Sequence, residues 1–147
     1  MITLLNPNGF PYPKQRELLT ILLGWNILYM EWTVIFNVEF TAWLNSQEEA
    51  LQDEIIANLK VLQETGPALG RPRVDTLRGS LFVNMKELRI QFRGNPYRIL
   101  FAFDSKRQAV MLVGGCKAGD RRWYKNHVPI ADKRFKEHCK KLQMENK

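Results

Sequence analysis

Two periodicities divide this chain. Leu51, Ile55, Leu59 and Leu62 recur at helical spacing with charged residues between them, which predicts an amphipathic helix. Ser46 stands three residues before Glu49, the spacing of a capping box, and Gly66 with Pro67 closes the helix at its other end. Before it, Trp32–Phe36 (WTVIF) is β-branched and aromatic and predicts a strand, followed by a short helix over Val38–Leu44. After a loop rich in Pro, Gly and Arg (GPALGRPR), Val74–Leu77 predicts a short strand. Lys86–Phe92, Tyr97–Phe103 and Ala109–Lys117 are then three strand-like runs, separated only by RGNP and DSKRQ. Connections that short imply antiparallel neighbours. A basic helix is expected from about Ile130 to the C-terminus. The order predicts an α+β fold: an N-terminal strand and helical hairpin packed on a twisted antiparallel β-meander, with a C-terminal helix and all helices on one face.

Alternation also sorts side chains between faces. In Lys86–Phe92, Leu88, Ile90 and Phe92 point one way and Glu87, Arg89 and Gln91 the other. If RGNP pairs Phe92 with Tyr97, Arg98 lies opposite Gln91, and Leu100 opposite Arg89. If Asp104 pairs with Ala109, Lys117 joins them near Arg98. One face then collects Ile99, Phe101, Phe103, Val110 and Leu112 as a core. The other gathers Glu87, Arg89, Arg98 and Lys117, with Arg121, Arg122, Trp123 and Tyr124 directly after the last strand. A one-residue slip would destroy the agreement. Lys86 falls on the apolar side by strict alternation.

Composition adds a partner. The chain has 147 residues, one domain's worth, with a net charge of +7 and a pI near 9.6. That balance suits a polyanion such as nucleic acid. Cys116 and Cys139 stand far apart without a CxxC or a histidine pair, so neither a zinc site nor a disulfide framework is expected, and a reduced, cytoplasmic protein is the default. The apolar run Leu18–Tyr29 is about a dozen residues, short of the roughly 20 that span a bilayer. No membrane role is expected. Residues 1–29 are expected to be an extension outside a core domain of residues 30–147.

The polar face carries its own chemistry. A cleft with Arg98, Arg89, Lys117, Glu87 and an aromatic hydroxyl suits RNA cleavage. Arg98 can grip a phosphate through two parallel hydrogen bonds and stabilise a pentacoordinate phosphorane. A base must take the 2′-hydroxyl proton, and an acid must protonate the departing 5′-oxygen. The cations supply the positive charge, so no metal or cofactor is needed. Trp123 or Tyr124 could stack on an unpaired base. With only His127 and His138 in the chain, a pair of histidines is not expected to do the acid–base work. On the residues alone, the same charges could equally form a solvated sheet face with cross-strand pairs.

The segments KELRI, YRILFAFD and GGCKAGDRRWY, taken as a set, resemble the core of RelE/HigB-type toxins, especially a phage-related branch, over about residues 30–143. The resemblance implies a ribosome-dependent endoribonuclease that cuts messenger RNA. It also implies a cognate antitoxin, often with a helix-turn-helix domain of the HigA type. It maps Arg98 onto the family's phosphate-contacting arginine, Lys117 onto a second basic position and Tyr124 onto the C-terminal aromatic, with Trp123 competing for that place. Glu87 stands where relatives carry either a lysine or a glutamate base. Glu87 is therefore a candidate general base, with Lys86 as its rival. Arg89, Arg121 and Arg122 are candidate phosphate or ribosomal-RNA contacts. Two other readings stand beside this one: a ParE-like inhibitor of DNA gyrase without nuclease activity, and a non-catalytic RNA- or ribosome-binding protein.

Overall fold

The computed structural model describes residues Ile2–Thr3 and 32–146. Of residues 1–29 only Ile2–Thr3, strand β1, are described, and they join the sheet beside Thr33–Phe36; the apolar run Leu18–Tyr29 lies outside the described residues. Strand β2 (Thr33–Phe36) leads into α1 (Val38–Asn45) and α2 (Glu49–Thr65). A 3₁₀ turn at Gly66–Ala68 and the edge strand β3 (Val74–Thr76) precede the meander of β4 (Lys86–Phe92), β5 (Asn95–Phe103) and β6 (Gln108–Cys116). The last element is α3 (Trp123–Glu145). The sheet order is β1-β2-β6-β5-β4-β3, antiparallel throughout except for β2, which runs parallel to β6. This is the α+β order expected from the sequence.

Four local expectations are corrected. The β4–β5 hairpin closes on two residues, Arg93 and Gly94, both at positive φ (48° and 78°), so Phe92 pairs with Asn95 and Arg89 with Arg98. Left-handed conformations at both central positions match the twist of the strands. The register differs from the expected one by two residues, an even shift, so the faces of β4 and β5 survive it. In β6 a bulge opposite Leu100/Phe101 reverses the alternation. Ala109 and Met111 face the core beneath α1 and α2, whereas Val110 and Leu112 face α3.

Ser46 is not a helix N-cap. Its hydroxyl donates to Trp43 O at 2.6 Å and closes α1, while α2 starts at Glu48 without a side-chain cap. The linker between α1 and α2 is so short that Ser46 meets the carbonyls of the first helix before the amides of the second. The helix expected from Ile130 begins at Trp123 instead and carries Pro129 inside it. Proline costs one backbone hydrogen bond there, and the helix is held by packing rather than by that bond.

Helices therefore cover both faces of the sheet, not one. Phe40 and Leu44 of α1, and Leu51, Ile55, Leu59 and Leu62 of α2, pack with Val34, Leu88, Ile99, Phe101 and Met111. On the other face, Val128, Ala131 and Phe135 of α3 pack with Met85, Leu100, Ala102, Val110 and Leu112. Among the described residues, the apolar contact of α3 does not extend to Glu87 and Arg98, which form a polar cluster on β4 and β5 beside its first turn.

Candidate functional site

The cluster is built from four elements. Glu87 projects from β4 and is only 4% exposed. Its Oε1 accepts from Arg89 Nε at 3.0 Å, and its Oε2 accepts from the Tyr124 hydroxyl at 2.6 Å. Arg98, on β5, brings its Nε to 3.7 Å from Glu87 Oε2 and donates from a terminal nitrogen to Tyr97 O at 3.0 Å. Among the described residues, Arg98 Nε is a buried donor without a hydrogen-bond partner. Lys117 follows β6 and places its ammonium 5.3 Å from the centre of the Tyr124 ring, within the range of a cation–π contact. Glu87, Arg98, Lys117 and Tyr124 thus come together: alternation places Glu87 and Arg98 on one face, and the first turn of α3 brings Tyr124 onto it.

Two adjacent glycines explain how Tyr124 gets there. A Cβ on Gly115 would stand 2.9 Å from Trp123 Nε1, so the first turn of α3 can lie against β6 only because that position lacks a side chain. Gly114 does the same for the opposite face, where a Cβ would meet the Trp43 ring at 2.4 Å. Burial pushes the Tyr124 phenol above its ordinary pKa, and donation to Glu87 pushes it further, against the pull of Arg98. The phenol therefore holds its proton and hands it towards Glu87.

Other candidates are placed elsewhere. Lys86 points away from the cluster and donates to Thr76 Oγ1 at 2.8 Å, so it does not share the face of Glu87. Trp123 is 2% exposed and stacked on His127 at 4.1 Å between centroids. Both its position and its partner make it a packing residue, which corrects the reading of Trp123 as a platform for a base. Arg121 and Arg122 are exposed just before α3. Neither histidine reaches the cluster's carboxylate: His127 Nδ1 bonds Trp123 O, and His138 Nε2 bonds Asp104.

Asp75, on β3, escaped the sequence reading. It pairs in register with Glu87, and its Oδ2 lies 3.4 Å from Arg89 NH2 and 2.8 Å from Arg71 NH2. The hydrogen bond from Arg71 holds the Asp75 carboxyl below the usual carboxylate range. Its signal was an acidic residue in the middle of the strand Val74–Thr76 (VDT), readable only once β3 is known to pair with β4.

The fold and this cluster define a small basic α+β protein with a charged, partly sheltered sheet face beside the start of its last helix. The chain belongs to the phage-derived Gp49-like family, whose model matches residues 42–136. Two proteins of Mycobacterium tuberculosis are similar to it. One, provisionally named toxin HigB2, is 48% identical over 105 residues, which cover 70% of this chain and 52% of that protein. The other, provisionally named toxin HigB3, is 45% identical over 102 residues, covering 69% of this chain and 88% of that protein. The match thus spans about half the length of HigB2 and most of HigB3. A solved structure of a mutant Escherichia coli toxin RelE in its free state is 14% identical with a TM-score of 0.45, covering 64% of this chain and 92% of that one. Among the described residues, no helix is long and apolar enough to cross a membrane.

Proposed function

We propose that this protein is the toxin of a type II toxin–antitoxin pair and acts as a metal-independent endoribonuclease on messenger RNA at the ribosome. The observation that carries the reading is the meeting of Glu87, Arg98, Tyr124 and Lys117 on one face: a proton acceptor, a phosphate-binding cation, a phenol and an ammonium. Family membership and the two HigB relatives support the same reading.

The chemistry divides among these groups. Arg98 and Lys117 bind the scissile phosphate and stabilise the dianionic phosphorane. Glu87 is buried beneath its donors, so its basicity reaches the substrate through Tyr124. The phenol oxygen takes the 2′-hydroxyl proton as its own proton passes to Glu87 Oε2. The 2′-oxygen attacks phosphorus, and the bond to the 5′-oxygen breaks as the Lys117 ammonium protonates it. A 2′,3′-cyclic phosphate and a 5′-hydroxyl result. Arg121 and Arg122 contribute exposed positive charge to RNA phosphates. The partner that restrains the activity is a cognate antitoxin with an acidic or amphipathic segment, of the helix-turn-helix HigA type.

Primer extension on a defined messenger RNA in a reconstituted translation reaction tests the reading. Wild type should give new cuts that require ribosomes. Arg98→Ala should lower the cutting rate by roughly 10²–10³-fold, as loss of one oxyanion-stabilising donor typically does. Intact message with wild-type protein would overturn the nuclease assignment.

A further inference from the structure

The polar cluster continues past Glu87 onto the sheet's edge strand. Arg71, Asp75, Arg89 and Glu87 alternate in sign along a connected path, and Arg98 and Tyr124 complete it. Asp75 and Glu87 sit directly opposite each other on β3 and β4. Two carboxylates so placed repel unless a cation lies between them. Arg89 fills that role: its Nε donates to Glu87 Oε1 at 3.0 Å and its NH2 to Asp75 Oδ2 at 3.4 Å. The guanidinium is planar, so fixing one end fixes the direction of the other.

We propose that Asp75 is a positioning residue: by anchoring the far end of the Arg89 guanidinium, it keeps Arg89 on Glu87 Oε1 and so leaves Oε2 as the oxygen that takes the Tyr124 proton. This rests on the proposed nuclease mechanism. Three observations carry it. Glu87 has two distinct oxygens with different partners, Arg89 on one and Tyr124 with Arg98 on the other. The Arg89 side chain is 35% exposed, and its guanidinium is directed by Glu87 at one end and Asp75 at the other. Asp75 also accepts two contacts from Arg71, Nε at 3.1 Å and NH2 at 2.8 Å, and its Oδ1 accepts from Thr76 N at 2.9 Å, which together orient the carboxylate towards Arg89. Without Asp75, the exposed guanidinium can swing across both carboxylate oxygens and compete with the phenol.

Asp75→Asn tests this with little change in size. In ribosome-dependent cleavage, the expected result is a fall in kcat of about tenfold, the low end of what loss of an orienting partner costs, with KM within about twofold because Asp75 touches no substrate. Asp75→Glu keeps the charge and should recover most of kcat. The second measurement needs no RNA: the ultraviolet titration of Tyr124, taken as the difference between each protein and its Tyr124→Phe counterpart. Losing Asp75 leaves the Arg89 charge less neutralised, so the phenol should ionise at lower pH in Asp75→Asn than in wild type, and Asp75→Glu should restore it. An unchanged titration with unchanged kcat would overturn the positioning role. Absent cleavage by wild type, together with a shifted titration, would fell the nuclease reading while leaving Asp75 coupled to Tyr124. A tenfold fall in kcat with an unmoved titration would assign Asp75 to the stability of β3 instead.

Discussion

The two faces of the sheet are buried by different means. Beneath α1 and α2 the contact is apolar: Phe40, Leu44, Leu51, Ile55, Leu59 and Leu62 meet strand residues of the same kind. Beneath α3 the apolar contact stops short, and the strand ends beside its first turn hold Glu87 and Arg98 under Tyr124. The first arrangement is favourable wherever it occurs, since burial of apolar area needs no particular partner. The second is not. A carboxylate as buried as Glu87 persists only because Tyr124 and Arg89 donate to it and Arg98 lies near it. A set of groups that costs this much to shelter, gathered on one face beside the first turn of α3, is where chemistry is expected.

The sharpest way to break the comparison is to damage the apolar face. Phe40 is fully buried, edge-on to Phe36 and beside Trp43. Phe40→Ala should cost about 3–5 kcal/mol of stability, read from urea unfolding, whereas Lys117→Ala, whose ammonium sits over the Tyr124 ring, should move the urea midpoint far less while slowing cleavage. If the two substitutions proved equally destabilising, the division between a stabilising face and a working face would fall.

The legibility of the molecule follows the same line. The apolar periodicity of Leu51, Ile55, Leu59 and Leu62, and the alternation in β4 and β5, place the core and the face that carries Glu87, Arg89 and Arg98, because side-chain direction depends only on parity. What parity could not supply was the bulge in β6, which sends Val110 and Leu112 to the α3 face. An extra residue has no signature in a run of uniformly apolar positions. The same limit hid the start of α3. Pro129 reads as a helix boundary, but the stacking of Trp123 on His127 and its fit against Gly115 carry the helix back to Trp123. Asp75 stayed hidden because its partners belong to another strand.

Gly114 and Gly115 sharpen the comparison, since they are neighbours facing opposite ways. Each alanine substitution forces its neighbour to move, at about 1–3 kcal/mol for overpacking. Gly114→Ala presses on Trp43 and should lower stability while cleavage per folded molecule stays near wild type. Gly115→Ala presses on Trp123, the residue before Tyr124, and should lower kcat as well as stability. Denaturation curves beside initial rates separate the two; equal losses of kcat would mean that α1 also positions the site.

The smallest expected effect lies at alkaline pH, and it reads how firmly the folded site holds the Tyr124 proton. The phenol's pKa is raised above the ordinary tyrosine value, first by burial and then by donation to Glu87. A proton held more tightly in the folded state stabilises the fold below the unfolded pKa, near 10, and that contribution is lost as pH rises through the higher folded value. Wild type and Tyr124→Phe should therefore keep a constant difference in urea midpoint up to about pH 9 and converge above about pH 10. Tyr97, whose phenol burial also raises, is present in both proteins and cancels. A stability difference that stays flat through this range would mean that the phenol is neither sheltered nor held by Glu87, and the relay through Glu87 would lose its first step.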